Sequence, residues 1–371
     1  MFIEIHMIQN FAPSNLNRDD TNNPKDCEFG GVRRARISSQ CIKRATRQHP
    51  VFAETTAVPS STRTRYMTRL LVTALTNQGK PVEDAQSVAE AFAAQYAKMD
   101  KKEKDRSSVL IYLSAGEIET ISAGLLKEWD DITIADPGES KVLVDIAKGI
   151  VKSSRDRTSA PDIALFGRML AETPELNIDA ASQVAHAIST HRVNMEMDFF
   201  TAVDDLSTGE ETGAGMMGVT GYNSACFYRY ARIDWGQLVN NLDGDVPLAR
   251  RAVEAFLRAN VMAVPTGKQT SFAAQNPPDL LLTVVRQDGQ SWSLSNAFEK
   301  PVYPGKDGLV KASILALDHY WGELQRVYGN GHMQTAVLSL HDEVRFDTLN
   351  DSLVDNLESC VKAVLTELPQ E

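Results

Sequence analysis

Between Phe29 and Pro50 the chain carries Arg33, Arg34, Arg36, Lys43, Arg44 and Arg47 and not a single acid. Charge of one sign at this density belongs on a surface, so the few apolar neighbours must decide which side packs inward. Gly30 and Gly31 open the stretch with backbone shapes closed to other residues, and they let a ligand approach closely. Arg33, Arg34 and Arg36 then fall on an extended segment. Ser38 or Ser39 is a suitable N-cap, after which Gln40 to Gln48 read as helix. Gln40, Lys43, Arg44 and Arg47 are three or four apart and line one side of it, while Cys41, Ile42 and Ala45 point to the other. The free N–H groups at the helix start add donors suited to a phosphate.

Charge across the rest of the chain sharpens this reading. The 371 residues carry a net charge of −11, yet residues 1–50 hold eight Lys/Arg against five Asp/Glu, a local +3 that leaves −14 elsewhere. A cationic island on an acidic protein fits a polyanion held at one place and repelled elsewhere, which is the behaviour expected toward a nucleic-acid backbone. The glycine spacing and Lys-Thr/Ser ending of a phosphate loop do not occur, which argues against a nucleotide hydrolase. Asn10 to Asp26, rich in turn formers, reads as a loop, with Arg18 and Lys25 as two further phosphate contacts. Asp19, Asp20, Asp26 and Glu28 admit two readings. They can hold a divalent metal beside the track and cleave the strand, or they can cap turns and orient Arg18 and Lys25. No histidine completes a nuclease-like set nearby, which favours the second.

A hydrophobic share of 43% is that of a globular protein, and no run approaches the roughly twenty apolar residues needed to span a bilayer. The N-terminus lacks a cationic start and a signal-like apolar core, so a cytoplasmic protein is expected. Cys27, Cys41, Cys226 and Cys360 are scattered, and the seven histidines form no ligand set; no metal or cofactor is expected.

Periodicity predicts a first strand over Phe2 to Gln9 and helices over Thr64 to Thr76, Val82 to Lys98, Ser140 to Ser153 and Asn177 to His191. Lys98 to Arg106 reads as an exposed helix end or loop, and residues 207–222 as a flexible tip or hairpin turn. Ser224 to Ile233 is expected as a core strand. Helix Pro247 to Val261, strand Leu280 to Arg286, helix Ile314 to Tyr328, strand Thr335 to Leu340 and helix Leu353 to Leu368 complete the chain. Strand–helix–strand units split between the two ends, with helices inserted between them, fit an α+β fold with a split ferredoxin-like sheet.

Several blocks together resemble the CasC family. They are Leu-Asn-Arg-Asp-Asp at 16–20, Phe-Gly-Gly at 29–31, Arg-Ile-Ser-Ser-Gln at 36–40 with Lys43-Arg44, and Asp-Ile-Ala-Leu-Phe-Gly-Arg-Met at 162–169. Further matches are Ala-His-Ala-Ile-Ser-Thr-His at 185–191, Phe-Phe-Thr-Ala-Val-Asp-Asp-Leu at 199–206, Phe227 to Ala231 and Asn296 to Lys300. They span residues 2 to about 330; the last forty residues match poorly. That family is the guide-RNA-binding backbone of the type I-E Cascade complex of bacterial CRISPR antiviral defence.

The resemblance implies an RNA-recognition-like palm over 1–60 and 223–371, a helical fingers insertion over 61–192 and a projecting thumb over 193–222. It implies a ribonucleoprotein subunit that is not an enzyme. Its partners would be CRISPR RNA (crRNA), copies of itself along that RNA, other Cascade subunits, and target DNA by way of the guide, with no membrane. The aromatic signature of a standard RNA-recognition motif is absent, so bases are not expected to stack on the sheet. Expected RNA contacts are Arg18, Lys25, Arg33, Arg34, Arg36, Ser38, Gln40, Lys43, Arg44 and Arg47, with Met169 against a base. A second cationic loop, Pro265 to Thr270, adds Lys268, Gln269 and Thr270. Phe199-Phe200-Thr201 matches the thumb block; of two adjacent aromatics in a strand one is expected inside and one on RNA, and Phe200 and Thr201 are the RNA contacts the resemblance implies. Lys141, Lys148 and Lys152, on one face of a helix, are expected to touch target DNA without reading its sequence. Related subunits of other CRISPR classes cut bound RNA with a loop aspartate, so a metal-dependent ribonuclease using Asp19, Asp20 or Asp26 is the alternative. Resemblance to the DNA-targeting class, in which a separate nuclease cuts, favours the non-enzyme reading.

Overall fold

The structure is a computed structural model that describes residues 1–103, 105–134, 137–153, 156–170, 173–201, 217–329 and 331–370. In chain order its first elements are β1 (Phe2–Ser14), β2 (Asp26–Phe29), β3 (Val32–Ile37), α1 (Ser39–Gln48), α2 (Pro50–Thr56), β4 (Thr62–Thr64), α3 (Met67–Asn77) and α4 (Val82–Tyr96). There follow β5 (Ile111–Leu113), α5 (Ala115–Lys127), α6 (Trp129–Thr133), α7 (Lys141–Ser153), α8 (Pro161–Phe166), β6 (Ser182–Val184), β7 (Ala187–Ser189) and β8 (Glu196–Thr201). The remainder is β9 (Met217–Asp234), α9 (Trp235–Asn241), α10 (Val246–Met262), α11 (Gln269–Phe272), β10 (Leu280–Arg286), α12 (Gly308–Tyr328), β11 (Met333–Ser339) and α13 (Leu357–Glu367). Among the described residues, no helix is long and apolar enough to cross a membrane.

The chain forms two compact units. One comprises 1–49, 183–233 and 256–368; the other comprises 50–182, 234–255 and 369–371. The first is built on a sheet of order β11-β10-β1-β9-β7-β3-β2, with β6 and β8 also pairing β9. β1 runs antiparallel to β10 and β10 to β11, so that Ile5 faces Thr283 and Val284 faces Thr335. β10 is buried at all seven positions, Leu-Leu-Leu-Thr-Val-Val-Arg, as a strand covered on both faces must be. One core cluster sets Ile8, Tyr228, Leu282 and Val284 against Leu317 and Trp321 of α12. A second gathers Phe11, Leu16, Ala35, Ile37, Ile42, Phe227 and Ala274.

The second unit is largely helical. Met67, Leu71, Val88, Phe92, Ile121, Leu125, Leu143 and Ile150 fill its core. α5 starts at a capping box in which Ser114 and Glu117 bond each other's backbone N–H, satisfying two donors the helix leaves open.

Three sequence expectations are corrected here. Asn177 to His191 is not a helix: β6 and β7 lie there, and Ile188 pairs with both Arg36 and Tyr228, so two neighbouring strands decide its shape. The expected loop 10–26 is shorter, because β1 continues to Ser14 and β2 begins at Asp26. The contact units also divide the chain elsewhere than 61 and 192. α2 joins the helical unit, where the Phe52 and Phe166 rings lie 6.3 Å apart, and so does α9, whose Asn241 Nδ2 donates to the carbonyls of Ala164 and Asp179. The tip expected at 207–222 falls mostly outside the described residues, which resume at Met217 in β9.

Candidate nucleic-acid interface

α1 forms where its sequence places it. Ser38 caps it, its Oγ accepting the Cys41 N–H at 3.3 Å, and Ile42 and Thr46 are the buried residues. Gln40 and Arg44 are exposed, while Lys43 and Arg47 are half-buried. Burial lowers the Lys43 amine from its ordinary pKa. Ser38 itself is buried at 6% exposure, so its hydroxyl serves the cap first. Among the described residues Lys25, Lys43, Arg44 and Lys268 have no acid within ion-pair distance.

The three arginines of β3 do three different things. The Arg33 side chain is 66% exposed and its Nε meets the Asp26 carboxylate at 2.8 Å. Arg36 is half-buried: Nε donates to the Asp26 carbonyl and Nη1 to Nδ1 of His186 at 3.1 Å. Burial, then Arg36 and Lys25, hold the His186 ring below its ordinary pKa. Arg34 is fully buried and donates to the carbonyls of Phe29, Ser189, Phe298 and Glu299. As placed it has nothing to offer RNA, and the expectation that it binds there is corrected. Gly30 has a related purpose. A Cβ there would overlap the Glu299 carbonyl oxygen and stand 2.8 Å from its carbon, so the close approach at Gly30 is made by this chain's own backbone.

The loop between β1 and β2 is tied down on every side. Asp19 Oδ1 accepts from Thr21 N, Thr21 Oγ1 and Asn23 N, which makes it a turn cap. Arg18 is exposed, with Nη1 on Asn22 Oδ1. Asn17 Oδ1 accepts the Ser38 N–H at 2.8 Å, fastening the loop to the start of α1. Asn15 Nδ2 donates to the carbonyls of Asn22 and Gly221, fastening it to β9. Gly267 packs against the Leu16 carbonyl, and the Tyr222 and Phe272 rings lie 5.7 Å apart. The structure thus brings together four segments far apart in sequence: the 15–25 loop, α1, the 265–272 stretch and the root of the β8–β9 hairpin.

Lys268 sits in the left-handed region at φ +50°, half-buried, and Thr270 is exposed. Gln269 Nε2 donates to the carbonyls of Pro265 and Ala274, and its Oε1 is a buried acceptor. An amide so placed braces its own loop and has no donor left for a phosphate, which corrects the expectation for Gln269.

Both aromatics of β8 face solvent, Phe199 at 62% and Phe200 at 40% exposure, so neither is inside. β8 pairs with β9 in a ribbon where Phe199 faces Val219, Met197 faces Gly221 and Phe200 faces Gly218. The Phe200 ring lies over Gly218, its Cε1 2.8 Å from where a Cβ would stand. Met197, Phe199 and Val219 share the other face and are each at least 60% exposed. Thr201 is exposed at the end of the described strand.

In the helical unit Met169 is 85% exposed, directly after Arg168, which is buried on Glu117 Oε1 at 2.6 Å. Lys141, Lys148 and Lys152 are all exposed on α7, and Leu143, Ala147 and Ile150 are its buried residues. Sequence reasoning missed Asn15, Asn17, Gly267 and the Met197–Val219 face. Only the last had a local signal, the alternation Met197-Asp198-Phe199 in a strand no layer covers.

The fold has close counterparts among solved structures. The chain is 31% identical, with a TM-score of 0.85 and 99% of each chain covered, to a chain of a structure described as a CRISPR RNA-guided surveillance complex, pre-nicking. A second, described as a CRISPR RNA-guided surveillance complex, gives 28% identity and a TM-score of 0.77, again over 99% of each chain. These define the class as that of CRISPR surveillance-complex subunits. The profile of the CT1975-like proteins matches residues 3–365, and the chain belongs to this CasC-like, CRISPR-associated family. No curated protein matches the sequence.

Proposed function

We propose that this protein is the crRNA-binding backbone subunit of a type I-E Cascade complex and works without catalysing a reaction, in the cytoplasm. Several copies line one guide RNA and hold its spacer for pairing with target DNA, so sequence is read by base pairing and the protein grips a backbone of fixed shape. The sheet unit is the ferredoxin-like palm, the helical unit the fingers and the β8–β9 hairpin the thumb. Arg18, Lys25, Arg33, Arg36, Lys43, Arg44, Arg47, Lys268 and Thr270 form a phosphate track, Phe199 or Phe200 wedges a displaced base, and Met169 packs on another.

The observation that carries this reading is the full-length, 31% identical likeness to a surveillance-complex chain, coinciding with Lys25, Lys43, Arg44 and Lys268, which among the described residues have no acid within ion-pair distance. Coexpression with the other subunits of a Cascade complex should yield an assembly containing a discrete long RNA. Lys43→Ala with Arg47→Ala should weaken binding of any single-stranded RNA and reduce the salt slope by about 0.7 per lost phosphate contact. An unchanged affinity and slope would remove α1 from the track.

A further inference from the structure

We infer that Gly267 is a positioning residue for RNA binding. It seats the Lys268 segment on the 15–25 loop so that the two grip a phosphate backbone as one unit. The inference rests on the phosphate-track reading above and deepens it.

The reason glycine stands at 267 is space. Its φ lies outside the left-handed region, so conformation alone would admit other residues. A Cβ, however, would overlap the Leu16 carbonyl oxygen and stand 2.7 Å from the Leu16 carbon and 2.9 Å from the Asn15 oxygen. All three are backbone atoms, which cannot swing aside as the end of a side chain can. Leu16 is 5% exposed and packs in one core cluster with Ile42, Phe227 and Ala274, and its carbonyl also takes the Cys41 Sγ contact. The seat is therefore firm on the loop side.

The opposite side is equally firm. Gln269 closes the 265–274 stretch on itself, at 3.0 Å to Pro265 O and 3.1 Å to Ala274 O. Lys268 and Ala273 hold left-handed φ values of +50° and +49°, conformations a non-glycine residue keeps only when its surroundings impose them. A stretch this rigid moves as a body. Any side chain at 267 lifts Lys268 and Thr270 together, and hydrogen bonds to phosphate do not survive a displacement of about 1 Å.

The test is a double-mutant cycle read by titration of a labelled single-stranded RNA of mixed sequence across a salt series. Lys268→Ala alone should weaken binding about tenfold, the loss of one charge-assisted contact, and lower the salt slope by about 0.7. Gly267→Ala should cause about the same loss. In the Gly267→Ala background Lys268→Ala should cost less than about twofold more, while Lys43→Ala should keep its full effect, because coupled residues are non-additive and distant ones add. A merely structural role at 267 would leave Lys268→Ala with its full tenfold in both backgrounds, and that additivity overturns the inference. Should Gly267→Ala fail to fold, Gln269→Met removes both braces without added bulk and carries the same cycle with the same two outcomes. Wild-type binding by both Lys43→Ala and Lys268→Ala would overturn the track itself, and the inference with it.

Discussion

Arg33 and Arg34 stand side by side on β3, one two-thirds exposed and the other holding four carbonyls in the interior. Removing the Arg34 guanidinium takes its charged donors away from those four buried carbonyls, so Arg34→Ala should cost about 3–5 kcal/mol of stability. Arg33→Ala should stay within about 0.5 kcal/mol, and denaturant unfolding of the two variants separates them. The sequence shows that neighbours on a strand face opposite ways, but it does not carry which face is covered. That depends on Ser189, Phe298 and Glu299, residues 155 to 265 positions away.

His6 is a second residue whose effect is set by its surroundings. It is fully buried, its Nδ1 2.9 Å from the Tyr228 hydroxyl, which takes the Leu294 N–H and so donates to the ring. Its Nε2 faces Glu4 Oε2 at 3.7 Å, and the rings of Tyr230 and Trp321 close the site, with Arg286 paired to Glu4 nearby. Burial first, then Arg286, depress the His6 pKa from 6.5 to about 3. The unfolded chain takes up this proton near pH 6.5 and the folded one only near 3, so the stability is complete above 6.5 and falls with pH below it. The slope is about 1.4 kcal/mol per unit, or about 2 kcal/mol by pH 5. Burial raises the Glu4 pKa, and its protonation works in the opposite sense, so the clean measurement is the pH profile of His6→Gln subtracted from wild type. A difference flat from pH 7 to 5 would disprove the assignment.

Among the elements, α1 was legible because its determinants are local: a serine cap, an apolar strip of Ile42 and its neighbours, and cations on the other side. β6 and β7 were not, being three residues each and existing only because β3 and β9 lie beside them. The β8–β9 hairpin was legible in outline, yet the expectation that one phenylalanine packs inside failed, since β8 is exposed at every described position. Phe199 adds apolar surface that covers nothing, whereas Phe200 covers Gly218. Phe199→Ala should therefore leave the melting temperature of the free protein within about 1 °C, because surface substitutions of this kind seldom exceed about 0.5 kcal/mol. Either substitution should weaken RNA-dependent assembly by about 1–3 kcal/mol if its ring meets a base. The variant that weakens assembly identifies the wedge; unchanged assembly in both would remove the hairpin from the RNA.

At the scale of the whole molecule, a net charge of −11 with a positive first fifty residues makes encounter with nucleic acid depend on where the polymer arrives. Lys141, Lys148 and Lys152 are the exposed cations of α7, over a helix back formed by Leu143, Ala147 and Ile150. Changing all three to Ala should leave assembly on guide RNA intact and slow association with double-stranded target, most at low salt; equal association rates across a salt series would show that this face meets no DNA. Strands at both ends of the chain and helices between them, the make-up of the two units, were legible. Their borders were not, because α2 and α9 take their allegiance from Phe166 and from the Ala164 and Asp179 carbonyls, contacts no local pattern records.

The fastening of the 15–25 loop has a consequence for how the protein opens. By composition this segment is a surface loop, which would exchange its amide hydrogens within seconds through local fluctuation. Yet the Asp19 N–H is held by Asn23 O, Lys25 N–H by Asn17 O, and Asn17 and Asn15 by α1 and β9. With its ends fastened to α1 and β9, the loop is expected to open together with the sheet around it, in the same cooperative unfolding unit as β1. Hydrogen-exchange mass spectrometry of the free protein should find Asp19 and Lys25 protected nearly as long as Ile5 and Val284. The grip would then be built before any RNA arrives, and binding would proceed without the entropic penalty of ordering a loose arm.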